Sequence, residues 1–342
     1  MNAVLDRPAR AIALDEALNE ALCRADFQIL DSSAQCCLWW RRTPELPPYK
    51  IGCIGRLIAS PGRPIAPILN LACDYLQKRG CSLAIGPMDS STWGSYRLVT
   101  ESLPIVAPSD HATAVSGIPA PFFLEVTNPP EWRQEFLQAG FHEIASYSSS
   151  MVTDLTNDVL TNDLTTGCRD ITPRETQLAQ RGIRIRALNR DRFDSELYTI
   201  YRIASEAFTN NFLYSPISWP GFALLYYPLR EVINPDFVLV AEAAGQPAGF
   251  VFALPDVLQD RRDAQFDTVI VKSLGVLPAY KGLGLGSVLV DRVHRSAMTQ
   301  GYKRAIHALM RDDNQAARQI SAHTAHVFRR YGLFARHLQG PS

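Results

Sequence analysis

Val276-Leu277-Pro278-Ala279-Tyr280-Lys281-Gly282-Leu283-Gly284-Leu285-Gly286 stands between a β-branched run, Thr268 to Val271, and an amphipathic stretch, Ser287 to Met298. Three glycines at alternate positions where a strand becomes a helix form a cradle for a diphosphate. The first-turn amides of a helix lack intrahelical partners, and their dipoles favour negative charge. Glycine lets phosphate oxygens approach those amides without a Cβ in the way, and Lys281 adds a point charge beside the turn. A Walker loop would end in Gly-Lys-Ser/Thr, whereas here the lysine precedes the glycines. The dinucleotide fingerprint also fails, because the next strand carries His307 and Met310 where an acidic ribose partner belongs. The plainer reading is a close-packed strand-to-helix turn with a solvated lysine.

Around this turn, periodicity predicts a strand over Ile183–Leu188, a helix over Phe193–Phe208, and two strands, Phe237–Ala243 and Ala248–Leu254, joined by the hairpin signal Gly245-Gln246-Pro247. A strand over Thr268–Leu277, a helix over Gly284–Gln300 stopped by Gly301, and a strand over Arg304–Met310 follow. Asn314–Ala322 reads as helical and Ala325–Phe334 as extended. In the first half the pattern predicts a helix over Leu14–Ala25, strands over Ala34–Arg41 and Ile51–Ala59, a helix over Ile65–Lys78 and a strand over Cys81–Ile85. Phe136–Tyr147 reads as a helix end, a glycine stop and a strand.

With 342 residues the chain is about twice a typical domain. The polar stretch Thr153–Gly182 reads as a linker, giving an N-terminal domain over 1–152 and a C-terminal domain over 183–342. A weak internal repeat supports duplication. Ile54–Ala59, the helix ending Gln77-Lys78-Arg79-Gly80 and the strand ending at Asp89 parallel Ser273–Leu277, the helix ending Thr299-Gln300-Gly301 and the strand ending at Asp312. Only the second copy has the glycine cradle.

Lys+Arg and Asp+Glu balance at 34 each without like-charge runs, so general attraction to nucleic acid or a membrane surface is not indicated. No stretch reaches a membrane span, the N-terminus lacks a signal-peptide core, and the expected compartment is the cytoplasm. The seven cysteines lie in the first half, mostly in apolar runs, and read as small buried hydrophobes. No zinc spacing appears, so no metal is expected.

The motif Val-x-Pro-x-x-Lys-Gly-x-Gly-x-Gly, with the element order from Ile183 to Leu338, resembles the acyl-CoA-binding motif of the GCN5-related N-acetyltransferase (GNAT) superfamily. The resemblance implies an α/β (α+β) fold of tandem GNAT-like domains, each a mixed, mostly antiparallel sheet flanked by helices with a splayed central strand pair. The first domain resembles a degenerate copy that shapes the acceptor site or the interface. The resemblance also implies that Leu274 and Val276 hold a pantetheine arm while Lys281, Gly282, Gly284, Gly286 and Ser287 surround the pyrophosphate of acetyl-CoA or another acyl-CoA. Asn314 resembles the family's cofactor-contacting asparagine, although a helix N-cap explains it equally.

The chemistry implied is transfer of an acyl group from a CoA thioester to the amine of a small molecule or peptide. The attacking amine must lose a proton and the departing thiolate benefits from gaining one. The family's acid is commonly a tyrosine seven residues beyond the asparagine. Here that position is Ser321, a much weaker acid, and Tyr331 is the alternative. For a base, Glu206, Asp256 and His307 are candidates; His307 has a suitable unperturbed pKa, against which stands a core histidine bonded to backbone. Asn210, Tyr214 and Trp219, in an aromatic-rich segment, are expected at the acceptor groove, with interdomain packing as the plainer role. Trp93, Tyr96 and Arg97 form a second cluster that reads either as pocket lining or as a structural corner. A homodimer is compatible with the sequence. Two other functions fit the same fold: an enzyme using acyl-carrier-protein thioesters or decarboxylating malonyl thioesters, and a non-catalytic acyl-CoA-binding module.

Overall fold

Both halves contribute to one continuous sheet. The computed structural model of the chain describes residues 24–105, 117–155, 172–259, 266–314 and 325–338. Its strands are β1 (Phe27–Leu30), β2 (Ala34–Trp39), β3 (Ile51–Ala59), β4 (Leu83–Gly86), β5 (Leu98–Ser102), β6 (His142–Val152), β7 (Ile183–Ala187), β8 (Val238–Ala243), β9 (Gln246–Pro255), β10 (Thr268–Val276), β11 (Arg304–Arg311) and β12 (Ala325–His337). The order across the sheet is β1-β2-β3-β4-β12-β6-β11-β10-β9-β8-β7, with β5 pairing β12 at the side. All neighbours are antiparallel except two pairs, β3 with β4 and β10 with β11. The fold is therefore α/β, with a mixed, mostly antiparallel sheet flanked by helices.

Each parallel pair is joined through a helix, since parallel neighbours in one sheet need a crossover connection. The helix α1 (Ala66–Lys78) serves the first pair, and α6 (Leu285–Thr299) serves the second; α2 (Trp132–Gln138), α3 (Thr172–Gln180), α4 (Phe193–Ala207) and α5 (Trp219–Tyr226) lie between them in the chain. In α6 the buried residues Leu285, Val288, Leu289, Val293 and Ala297 recur at helical spacing and meet Val269, Val251 and Ala253 of the sheet. In α4 the stripe Phe193, Leu197, Ile200, Ile203 and Ala204 packs on Val240, Phe250, Phe252 and Ile270, in a separate core cluster. Alternating burial on the strands thus feeds two helical layers, one on each face.

The strand partners at the centre are exchanged. Beside β4 of the first half lies β12, the last strand of the chain, and beside β11 of the second half lies β6, the last strand of the first half. The two exchanged strands also pair with each other along ten residue pairs, Ala325↔Val152 through Ala335↔His142. One consequence is that Tyr147 of β6 stands opposite Arg311 of β11.

Several sequence expectations differ from what is observed. The stretch Thr153–Gly182 is not wholly a linker, since residues 172–180 form α3 and Leu178 is buried in the core under α6. Strand β5 and helix α5 lie where no element is predicted. The helix predicted over Leu14–Ala25 falls outside the described residues except for its last two positions, which are not helical. The helix predicted over Asn314–Ala322 lies outside them too, Asn314 apart. Cys36, Cys37, Cys53, Cys73 and Cys81 are buried and form no disulfide among the described residues, and burial pushes Cys36 and Cys73 up to about 12. Among the described residues no helix is long and apolar enough to cross a membrane, and no His, Cys, Asp and Glu group is placed to hold a metal.

Candidate active site

The parallel ladder between β10 and β11 stops at Val271↔His307, although both strands continue beyond it. Two local irregularities separate them. A bulge between Val271 and Ser273 shifts β10 against β9, and Leu309 of β11 takes a left-handed φ of 58° at the register shift between His307 and Met310. The divergence opens a cleft of about 1530 Å³ whose wall includes the β10 edge from Lys272 to Val276.

At one end of the cleft is the glycine turn. Gly282 and Gly284 have φ of 78° and 77°, which other residues rarely adopt, and a Cβ on Gly282 would point into open space. Gly284 is the left-handed N-cap of α6, and no side chain caps that helix. The first-turn amides are therefore presented to the cleft unblocked, as an anion site requires. The Cδ of Arg174, on α3, lies 3.2 Å from where a Cβ on Gly284 would stand, so a guanidinium-bearing chain runs over the turn. Arg174, Gln177, Arg181 and Lys281 all line this end. Helix α3 is held there by Leu178 in the core and by an ion pair between Glu175 and Arg292 of α6 at 2.5 Å.

The corresponding turn in the first half is closed. Helix α1 begins without a glycine cradle, and the carboxylate of Glu135, itself 9% exposed, accepts hydrogen bonds from the amides of Ile65 and Ala66, the latter at 3.0 Å. The parallel pair β3/β4 also separates after Cys53↔Ile85, but Met88 and Asp89 fill the gap. The Met88 amide donates to the Ile54 carbonyl at 2.8 Å, the Arg56 amide donates to Asp89 Oδ1 at 2.9 Å, and a Cβ on Gly55 would stand 2.1 Å from Asp89.

Of the residues singled out from sequence, Leu274, Val276, Lys281, Gly282, Gly284, Gly286, Ser287, Asn314, His307, Asn210 and Tyr214 line this one cleft. Trp219 does not. It packs edge-on against Tyr198 and tilted against Tyr201 at ring separations of 5.1 and 5.6 Å, beside the core. Tyr331 is fully buried away from the cleft, its hydroxyl bonded to Glu125 and 3.0 Å from Ser149 Oγ, and burial beside that carboxylate drives its pKa upward. A phenol so placed does not reach a substrate. Ser321 lies outside the described residues. Glu206 is exposed and off the cleft, and Asp256 is buried with its carboxylate accepting from the amides of Phe123 (2.9 Å) and Leu258 (3.3 Å). His307 is buried at the cleft floor with Nε2 3.1 Å from Nε2 of His294 on α6, the rings stacked. In this contact one imidazole nitrogen donates and the other accepts.

The first half supplies the rest of the wall. Trp93 lines the cleft and also ties the halves together, its indole N–H donating to the Ser215 carbonyl at 2.7 Å, and Tyr96, Arg97, Asp89, Arg56 and Tyr147 line the cleft beside it. Helix α5 adds Tyr226, whose hydroxyl bonds Ser273 at the bulge and whose pKa burial pushes up to about 12. Sequence reasoning missed Arg174 and its neighbours, although Arg174, Gln177 and Arg181 recur at three and four residues, the signal of one helical face.

Residues 197–322 match the family model of the Acetyltransferase (GNAT) family. A bacterial ceramide synthase from Caulobacter vibrioides is 32% identical over 76 residues, and the chain spans only 20% of that relative's length. Among solved structures, a tandem GNAT protein from the clavulanic acid biosynthesis pathway covers 96% of this chain and 88% of its own, with TM-score 0.50 and 12% identity. The glucosamine N-acetyltransferase region of a fungal multi-domain β-N-acetylglucosaminidase covers 94% of this chain and 34% of its own, with TM-score 0.52 and 14% identity. The family match falls on the stretch that carries the strand splay and the uncapped glycine turn, and residues 197–322 of this chain form a GNAT acetyltransferase-family domain.

Proposed function

We propose that the chain is an acyl-CoA-dependent N-acyltransferase whose central cleft takes the thioester from the second half and the acceptor amine between the halves. The observation that carries this is the uncapped, glycine-lined start of α6 beside the open edge of β10. The residues present fit a CoA ester. The first-turn amides, Lys281 and Arg174 would receive its diphosphate, and the backbone of Leu274 and Val276 its pantetheine arm. The bound thioester supplies an activated acyl carbon.

The chain's own residues then hold the reactants together and exclude water, which supplies much of the rate in a transfer of this kind. Backbone amides at the β10 edge would stabilise developing oxyanion charge. His307, backed by His294, receives the amine's proton. Tyr226 is too weak an acid to serve as a ready proton source, and acts with Ser273 as a hydrogen-bonding pair at the splay. The same open edge suits a pantetheine arm carried by an acyl carrier protein, and the basic rim of Arg174, Arg181 and Lys281 favours that donor as the second reading.

Mass spectrometry of the purified protein for a bound thioester, then CoA release from acetyl- and longer acyl-CoAs with amines, amino acids and peptides, tests the proposal. Release that depends on an amine is expected. Thioester binding without release for any acceptor would overturn the enzyme reading, and turnover with the acylated carrier protein alone would select the second donor.

A further inference from the structure

The far wall of the cleft contains a cation, Arg97, with no acidic partner among the described residues. Arg97 follows the turn after β4 and lies over two aromatic faces, its guanidinium carbon 3.9 Å from the Tyr96 ring centroid and 4.3 Å from that of Tyr147. One terminal nitrogen donates to the Tyr96 hydroxyl, while Nε is buried and has no hydrogen-bond partner. Burial pulls the guanidinium down to about 10, and the groups that oppose that shift are tyrosines, not carboxylates. At neutral pH it stays charged.

The other ions of this wall are paired. Arg56 Nε lies 3.8 Å from Asp89 Oδ2, Arg311 is 2.8 Å from Asp313, and Glu125 is 2.9 Å from Arg329. The local balance leaves one positive charge. A half-buried guanidinium without a counter-ion is costly to keep, and its planar fork between aromatic faces matches a two-oxygen anion. The backbone reinforces the placement. Arg97 has φ of 86°, and Arg56, Leu124 and Leu309, which line the same cleft, also take left-handed values of 44°, 66° and 58°. Residues held in such conformations cluster where a site dictates their geometry.

We infer that the acceptor is an amine that also bears a carboxylate, and that Arg97 receives that carboxylate while the amine faces the β10 edge. This rests on the acyltransfer reading and names the substrate class for the same cleft. Strand exchange makes it feasible, because Tyr147 on β6, under Arg97, sits opposite Arg311, four residues beyond the point where β10 and β11 part.

The test pairs acceptors that differ only in the anion: tyrosine against tyramine, leucine against isopentylamine, and phosphoethanolamine against ethanolamine. With the full chain, kcat/KM from CoA release is expected to favour the amino acid at least tenfold over its decarboxylated partner. In Arg97→Gln that ratio falls toward one, and Arg97→Lys keeps part of it. Calorimetric titration with tyrosine and tyramine, without thioester, reads the site independently of turnover. Lost tyrosine binding in Arg97→Gln with no turnover by any variant would sustain the carboxylate site while the acyltransfer reading fell. Equal rates for tyrosine and tyramine, a preference for the phosphorylated amine over both amino acids, or a loss of acyl-CoA affinity in Arg97→Gln would each overturn the inference. Circular dichroism melting of both variants separates misfolding from lost recognition: if Arg97→Gln melts early, the Arg97→Lys ratio and the wild-type ratios decide.

Discussion

The two strand–turn–helix units of this chain share a plan and differ in what occupies it. Both begin with a parallel strand pair that separates after a few residues, and both send a helix back across the sheet. In the second unit the helix starts at glycines with no cap and the gap between strands is a cleft. In the first, Glu135 satisfies the helix start, and Met88 with Asp89 packs into the gap. A helix N-terminus attracts an anion in either case; the difference is whether the chain brings its own. The first unit has thus become a wall for the second.

The sharpest way to break the comparison is Gly284→Val. A side chain there meets both a left-handed backbone and Arg174, and acyl-CoA affinity by calorimetry is expected to fall at least ~100-fold, corresponding to about 2.7 kcal/mol. Undiminished affinity would show that the turn is packing alone. Next in size is Glu135→Ala, which strips a buried charge-assisted cap from α1 and is expected to cost about 2 kcal/mol in urea unfolding. It should leave acyl-CoA stoichiometry at one; a second equivalent bound would mean that the first turn is a cofactor site kept shut. Arg174→Ala is expected to weaken acyl-CoA binding about tenfold, near 1.4 kcal/mol, and a salt-independent affinity in the wild type would argue against any such cation.

The smallest effect is read in pH. Burial, partly offset by the Arg56 amide and guanidinium, pushes Asp89 from 3.8 up to about 6. The folded state then binds this proton more tightly than the unfolded chain, so the group's contribution to stability is highest below about pH 4 and declines as pH rises through 6. Asp89→Asn should flatten that segment of the stability curve by an amount on the order of 1 kcal/mol. Parallel wild-type and variant curves would show that Asp89 titrates normally.

Much of the glycine-turn side of the cleft was legible because its information is local. The glycines from 282 to 286, the β-branched run before them and the apolar stripe of α6 occupy some thirty consecutive residues, and each feature acts through neighbours in sequence. Most predicted strands appear within two or three residues of their observed ends. The acceptor side was less legible. Tyr331 alternates onto the face where Glu125 waits, and the sequence does not say which face that is. Trp219 caps an aromatic stack with Tyr198 and Tyr201, an equally plain destination for a tryptophan after a serine N-cap. Arg174 was hidden because its segment is polar on most sides and buries little beyond Leu178.

Readable from local sequence alone are therefore the glycine turn, the strand and helix order around it, and the weak internal repeat, all set by backbone freedom at glycine and by apolar periodicity. Long-range packing, by contrast, makes the halves trade their last strands, lays Arg174 of α3 over the glycine turn, shuts the first turn with Glu135, and leaves Arg97 at the cleft without an acidic partner among the described residues. Each of these depends on pairing or charge contact between residues far apart in the chain, and such contacts follow from how the sheet closes rather than from any local pattern.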